Sequence, residues 1–327
     1  MSTTTVKNCD FLGLERFTRS ELEGLLDLAL EMKSGRDRRK YLDERNLGML
    51  FTVPSTRTRI SFQVAARELG AHAEYYAPGQ LQMSNNETLV DTAEVMNRYL
   101  DGLVVRLYDM TRYGEGRKSL EVLAEHMDGP VINALDDKEH PCQIMADVLT
   151  LRERFGEEYK GKKVVLTWAY AKRQKSPGVT HSWLMASSIL GMNFTLAFPK
   201  GFEPDPEYDA LAREAAAGSG ASVEYVHDLE EASEGADVIY AKSWKSLASS
   251  VEEDRALREE NREAWRVGRR HFDRANPEAV FMDCMPLIRG QEADAEVVDG
   301  PMSIRYDEAE NRLHAQKAIL ASLIGET

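Results

Sequence analysis

The residues whose types and spacing could do chemistry are densest at Ser55-Thr56-Arg57-Thr58-Arg59. An apolar run at 47–53 precedes them and reads as a buried strand. After them Phe62, Ala65, Ala66 and Leu69 fall on one helical face, with Gly70 as the stop. A strand, a turn of small hydroxyl residues and a helix start bring unpaired backbone N–H groups, hydroxyl donors and the positive helix end together. Arg57 and Arg59 add charge and forked donors, so the turn suits a phosphate or another dianion. On its own the same turn also reads as a basic exposed loop, because short motifs recur by chance.

Other candidates follow apolar runs. Arg106 closes the run at 103–105, and His140-Pro141-Cys142-Gln143 comes after the run at 131–133 and opens a helix. Proline is tolerated in the first helical turn, and a histidine before it can present one ring nitrogen as a neutral donor. Lys242-Ser243-Trp244 follows 238–240, and Asp283-Cys284-Met285-Pro286 follows 280–282. Singly each has a plain reading: a structural histidine, a surface arginine, small core cysteines, an ordinary loop. The chain has no GxxxxGK[ST], HExxH or GxSxG, and no GxGxxG after the first strand of either half. Nucleotide hydrolysis, zinc hydrolysis and hydride transfer thereby lose most of their support.

The elements that must position these residues alternate along the chain. Ser20 and Glu23 have capping-box spacing, and Leu22, Leu25, Leu26, Ala29 and Leu30 repeat on one helical face behind them. Strands are expected at 47–53, 71–76, 103–105 and 131–133, with helices over 56–69, 88–100, 118–126 and 140–155. The polar loop 77–87, with Gln80, Gln82, Asn85 and Asn86, reads as exposed and mobile. A polar break at 156–161 is taken as the domain boundary. Beyond it strands are expected at 163–168, 194–198, 223–226, 238–240 and 280–282. Helices are expected over 180–190, 205–217, 229–232 and 308–324, together with one long charged helix over 250–272. This alternation predicts an α/β protein with two doubly wound parallel-sheet domains, which bind ligands at the carboxyl ends of their strands.

Composition agrees. A chain of 327 residues with 43% hydrophobic content can bury two ordinary cores. Its 41 basic and 55 acidic residues give a net charge of −14, which argues against a nucleic-acid or acidic-membrane surface. An anionic ligand must then be drawn by a local basic pocket. Cys9, Cys142 and Cys284 lack CxxC spacing, so neither a disulfide framework nor a zinc site is expected, and a reducing cytoplasm is the default. No apolar run approaches the roughly 18 residues of a membrane span.

Together the pieces resemble one family. Ser55-Thr56-Arg57-Thr58-Arg59, Arg106, His140-Pro141-Cys142-Gln143, Asp283-Cys284-Met285-Pro286 and Glu310-Asn311-Arg312 stand in the order and spacing of the aspartate/ornithine carbamoyltransferases. Within it the chain looks most like the knotted branch of N-acetylornithine and N-succinylornithine carbamoyltransferases. Leu166-Thr167-Trp168-Ala169-Tyr170, Tyr240-Ala241-Lys242-Ser243-Trp244 and the segment from Asp307 to His314 carry that likeness. The resemblance implies a carbamoyl phosphate-binding domain at 1–155, an acceptor-binding domain at 156–305 containing a trefoil knot, and a C-terminal helix at 306–327 packed back on the first domain.

It also implies a reaction and roles. The carbamoyl group of carbamoyl phosphate passes to the amine of an amino-acid acceptor, ornithine or N-acetylornithine being the best guess, in arginine biosynthesis and without a cofactor or metal. Ser55, Thr56, Arg57 and Thr58 would hold the phosphate with Arg312. Thr58, Arg106 and His140 would point at the carbamoyl oxygen, and Gln143 would lie near the carbamoyl nitrogen. The family forms homotrimers, and Gln82 falls where a neighbouring subunit completes the site. On the acceptor side Leu135, Lys242, Cys284, Met285 and Glu292 occupy the matching positions, and His181, with Gly178, falls in the segment that elsewhere supplies an asparagine, where the match is broken. There the chain departs from the pattern: Asp283 replaces a histidine, Met285 a leucine, and Glu292 stands where some relatives carry a modified, negatively charged lysine. Three alternatives stay open. They are a different amine or the phosphorolytic direction on a ureido compound, a catalytically silent carbamoyltransferase-like subunit, and a knotted methyltransferase.

Overall fold

The computed structural model describes residues 9–84 and 87–325. Asn85 and Asn86, named above in the polar loop, lie outside the described residues. The chain forms two units, residues 1–149 with 310–327 and residues 150–309.

Unit 1 runs through α1 (Arg19–Lys33), β1 (Asn46–Phe51), α2 (Thr56–Leu69), β2 (His72–Tyr76), α3 (Leu89–Asn97), β3 (Gly102–Arg106), α4 (Glu115–Glu125), β4 (Val131–Leu135) and α5 (Pro141–Phe155). Its four strands are all parallel, in the order β2-β1-β3-β4. Parallel strands buried on both faces need near-continuous apolar runs, and β4 is buried at every position. Leu50, Leu103, Val105, Leu120, Leu123 and Val131 form part of one core cluster with Ala93 and Met96. The α1 cap differs from expectation. Thr18, in extended conformation, accepts from Glu21 N while its own N–H donates to Glu21, so Ser20 lies inside the first turn instead of before it. Both pairs have the same spacing, and the backbone selects the one whose first residue is extended.

Unit 2 runs through β5 (Lys163–Trp168), α6 (Gly178–Leu190), β6 (Asn193–Ala197), α7 (Pro206–Ser219), β7 (Ser222–Val226), α8 (Leu229–Ser233) and β8 (Val238–Lys242). It continues with α9 (Val251–Glu260), α10 (Arg269–Phe272), β9 (Val280–Met282), α11 (Ala295–Val298) and the start of α12 (Arg305–Ile324), most of which belongs to unit 1. The five strands are parallel in the order β7-β6-β5-β8-β9. Every residue of α6 is buried. The long helix expected over 250–272 is instead α9 and α10 with an irregular stretch between. There Trp265 O accepts from Tyr170 N at 3.1 Å, and Val267 N donates to Glu292 O at 3.0 Å. These bonds take backbone groups that an unbroken helix would use itself.

Candidate active site

In unit 1 the singled-out residues gather at the carboxyl ends of β1, β3 and β4. The β1 chain turns at Ser55, whose side chain caps α2 by accepting from Thr58 N at 3.3 Å. This engages the Thr58 amide in the first turn of a fourteen-residue helix whose far end is closed by Gly70 at φ 97°. A side chain at Gly70 would meet the Asp43 Cα at 3.0 Å, so glycine is needed there for space as well as conformation. Ser55 Oγ also donates to Thr58 Oγ1 at 2.9 Å. Thr58 is buried, Arg57 half-buried and Thr56 exposed. Arg59 points elsewhere: its guanidinium lies 3.9 Å from the centroid of the Tyr75 ring.

Arg312, on α12, reaches this turn. Its Nη2 donates to Thr58 Oγ1 at 2.8 Å, and its Nη1 donates to Gln143 Oε1. Gln143 Nε2 in turn donates to Asp147 Oδ1 at 2.7 Å, one helical turn further along α5. Burial pushes the Arg312 guanidinium down to about 10; Arg57 and Arg106 push the same way, while Cys142 and Asp147 oppose. It remains a cation at neutral pH. Arg106, at the end of β3, holds its Nε on the Val53 carbonyl at 3.2 Å. Three guanidiniums thus bear on one helix start.

His140 is buried at the start of α5. The loop before it is fixed by carboxylates. Asp136 accepts from Lys138 N and Glu139 N at 2.8 and 2.5 Å, and from Arg117 Nε at 2.5 Å. Asp137 accepts from the Gly114, Gly116 and Arg117 amides at 2.7 to 3.0 Å. Cys142 packs below, its thiol on Asn133 O at 3.3 Å and pushed up to about 12 by burial, which leaves it un-ionised. Leu135 closes β4 opposite Arg106, where the register shifts. Gln82 is exposed on a short 3-10 turn, Gln82–Ser84.

In unit 2, Lys242 ends β8, buried, with its Nζ on the carbonyls of Ser176, at 3.4 Å, and Ser243. Burial lowers its pKa to about 8, with Lys175 acting in the same direction and Cys284 and Glu292 opposing. Cys284 and Met285 follow β9 in a half-buried turn, where Met285 has φ 45° and the Met285–Pro286 bond is cis. Asp283 accepts from Met285 N at 2.6 Å, so this carboxylate serves its own turn. Glu292 is buried, bonded to Lys175 Nζ and to Ile288 N at 3.0 Å. His181 is buried in α6, accepting from Asp205 N at 3.1 Å and stacked on Tyr208 at 4.6 Å, which ties α6 to the start of α7. Trp183 is core, packed on Phe194 and Tyr240.

Sequence reasoning missed Asp147, Arg117, Asp136 and Lys175. The four-residue spacing of Gln143 and Asp147 on one helix was a usable signal. Lys175 gave none, because its partner Glu292 lies 117 positions away.

Two family models match the chain, the carbamoyl phosphate-binding domain of aspartate/ornithine carbamoyltransferases over residues 9–153 and their Asp/Orn-binding domain over 160–323. The chain belongs to the aspartate/ornithine carbamoyltransferase family. It is 41% identical to an ornithine carbamoyltransferase of Symbiobacterium thermophilum over 98% of this chain and 99% of that protein. The ornithine carbamoyltransferase structure from Pyrococcus furiosus matches with a TM-score of 0.87 at 38% identity, covering 99% of both chains. An acetylornithine transcarbamylase complexed with acetylcitrulline matches with a TM-score of 0.90 at 34% identity, covering 97% of this chain and 99% of that one.

Proposed function

We propose that this protein is a carbamoyltransferase that moves the carbamoyl group of carbamoyl phosphate to an ornithine-type amine. The observation that carries this reading is the bonded chain Ser55–Thr58–Arg312–Gln143 at the start of α2, with Arg57 and Arg106 bearing on the same point. Three guanidiniums bearing on this point favour a multiply charged anion, and the positive end of the α2 helix acts in the same direction.

In the reaction the amine nitrogen attacks the carbamoyl carbon, the C–N bond forms and the bond from carbon to the phosphate oxygen breaks. The amine's proton leaves with the departing phosphate. Negative charge grows on the carbamoyl oxygen, where Thr58, Arg106 and His140 act as donors; each well-placed donor contributes on the order of 3 kcal/mol. Gln143, oriented by Asp147 and Arg312, takes the carbamoyl nitrogen. Arg57, Ser55, Thr56 and Arg312 hold the phosphate. In unit 2 Lys242 takes the acceptor's carboxylate, and the Cys284–Met285 turn offers carbonyls to its amine. Leu135 keeps its expected acceptor role on the resemblance alone. His181, engaged in the core, is left out of this set.

The assembly is a homotrimer in which Gln82 of one subunit serves the next, and unit 2 carries a trefoil knot; both rest on the resemblance alone. Among the described residues no helix is long and apolar enough to cross a membrane. The three free cysteines suit a reducing compartment such as the cytoplasm. The deciding experiment is phosphate release from carbamoyl phosphate with ornithine, N-acetylornithine, N-succinylornithine, putrescine and aspartate offered separately. Release with an ornithine-type amine is expected; silence with all five, or release with aspartate alone, would overturn the assignment.

A further inference from the structure

Gln143 sits between two groups that allow its amide one orientation. Its Nε2 donates to Asp147 Oδ1 at 2.7 Å, one turn further along α5, and its Oε1 accepts from Arg312 Nη1. A carboxylate only accepts and a guanidinium only donates. A flipped amide would set its nitrogen against the Arg312 N–H and its oxygen against the Asp147 oxygen. Both mismatches would be shut away from water, since Gln143 and Arg312 are 2% exposed and Asp147 is 0% exposed. Arg312 is shared between Gln143 and Thr58, whereas Asp147 holds the amide from the same helix.

The bonds beyond Gln143 also run in a defined direction. Arg312 Nη2 donates to Thr58 Oγ1 at 2.8 Å, and Ser55 Oγ donates to the same oxygen at 2.9 Å. With two bonds accepted, the Thr58 hydroxyl turns its own proton to a further acceptor. One guanidinium therefore joins a donor at Thr58 to a carbonyl acceptor at Gln143. An amide oxygen accepts two hydrogen bonds, so Gln143 Oε1 can serve Arg312 and an N–H of a ligand together. A carbamoyl group carries the matching pair, an oxygen that accepts and an NH₂ that donates. An acetyl group has the oxygen, but its methyl gives Gln143 nothing to accept.

We infer that Asp147 is a specificity-determining residue for the donor substrate, fixing the Gln143 amide so that the site selects a carbamoyl phosphate over an acyl phosphate. The inference rests on the carbamoyltransferase reading and deepens its donor side. Asp147 acts through Gln143 and touches no reacting atom, so it is a positioning residue. Its effect is read as selectivity between donors, which a purely structural role would not move.

The test compares carbamoyl phosphate with acetyl phosphate, which share the phosphate and differ in NH₂ against methyl. Dissociation constants are measured by calorimetry without an amine acceptor, and their ratio cancels whatever a substitution does to the phosphate contacts. Wild type should bind carbamoyl phosphate at least about thirtyfold more tightly. Asp147→Asn keeps an acceptor oxygen for Gln143 Nε2 and should hold that ratio within about threefold of wild type. Asp147→Leu removes the acceptor and should lower the ratio by about tenfold. If that variant does not fold, Asp147→Ser, whose hydroxyl stops one bond short of the carboxylate oxygen, takes its place with the same expectation. Equal binding of the two compounds by wild type, an unchanged ratio in the Leu or Ser variant, or collapse of the ratio in Asp147→Asn would overturn the inference. Binding of neither compound would overturn it together with the reading of the donor site. A preference that follows these variants without transfer to any amine would uphold the inference and count against the reaction.

Discussion

Arg312 and Thr58 lie 254 positions apart, and the Nη2 of the first donates to the Oγ1 of the second at 2.8 Å. The same guanidinium holds Gln143, so one side chain ties the last helix to both the α2 turn and the α5 start. Arg312→Gln should therefore weaken carbamoyl phosphate binding by about a hundredfold, from loss of charge-assisted bonds worth about 1.5–3 kcal/mol each. Calorimetry with carbamoyl phosphate alone checks this, and a change smaller than about threefold would remove Arg312 from the donor site.

Arg106→Ala is expected to lower kcat by about two to three orders of magnitude, the usual cost of removing an oxyanion donor. Arg106 is half-buried at the end of β3, with its Nε on Val53 O and its guanidinium over the Tyr108 ring, outside the core cluster of the unit, so the fold should survive with a modest change in Tm. Near-normal turnover in the folded variant would exclude Arg106 from the reaction.

Much of this was legible locally. The turn and helix start at Ser55 to Arg59, the Gly70 stop and the strand ending at Arg106 follow from residue type and period, because their causes lie within a few positions, whereas β8 runs on to Lys242, two residues past the strand end expected at Tyr240. The rest depends on partners far away in sequence. Thr18 and Ser20 both have glutamate three residues on, and backbone conformation chose between them. The charged period over 250–272 was a real helical signal that tertiary bonds from Tyr170 and Glu292 interrupted. The resemblance pointed to Glu292 as a carboxylate for the acceptor, but its pairing with Lys175 was not legible, and that pairing changes its chemical meaning.

Glu139 directly precedes His140 and carries a pH-dependent contribution. Burial raises its pKa well above 4.5, the Glu15 carboxylate adds to this, and Arg117 and the Leu14 amide oppose. Glu15 is itself lowered, so the two carboxyls share a proton that resides on Glu139. The folded state then holds more protons than the unfolded state above pH 4.5, and this contribution falls as pH rises through the raised pKa. Glu139→Gln keeps the Leu14 bond without needing a proton. Denaturant titrations from acid to mildly basic pH should show the decline, up to about 1.4 kcal/mol per pH unit, in wild type and a flatter curve in the variant. Parallel curves would refute the shared proton.

If Gln82 serves a neighbouring subunit, two inactive variants should complement one another. Gln82→Ala and Arg57→Ala proteins, unfolded together and refolded, should form mixed assemblies in which some sites draw both residues from intact chains. Activity should rise about tenfold over either parent treated alone. No rise, with mixed assemblies demonstrated by mass, would place Gln82 in its own subunit's chemistry or in none.

Lys242 gives the acceptor side its own pH signature. Burial lowers its pKa to about 8, so the cation is present at pH 7 and is lost as pH climbs through that value, where an ordinary lysine would stay charged to about 10.5. The folded state holds fewer protons than the unfolded state between these values, so this group makes the fold more stable as pH rises across the window. Ligand binding has the opposite slope. N-acetylnorvaline has no group titrating there, and its dissociation constant should rise by up to about tenfold per pH unit above 8, while carbamoyl phosphate binding should not follow. Lys242→Met should bind the ligand weakly at every pH without that inflection, and Lys242→Arg should bind it with no loss up to pH 9. A wild-type profile flat to pH 9.5 would show that a group other than Lys242 receives the carboxylate.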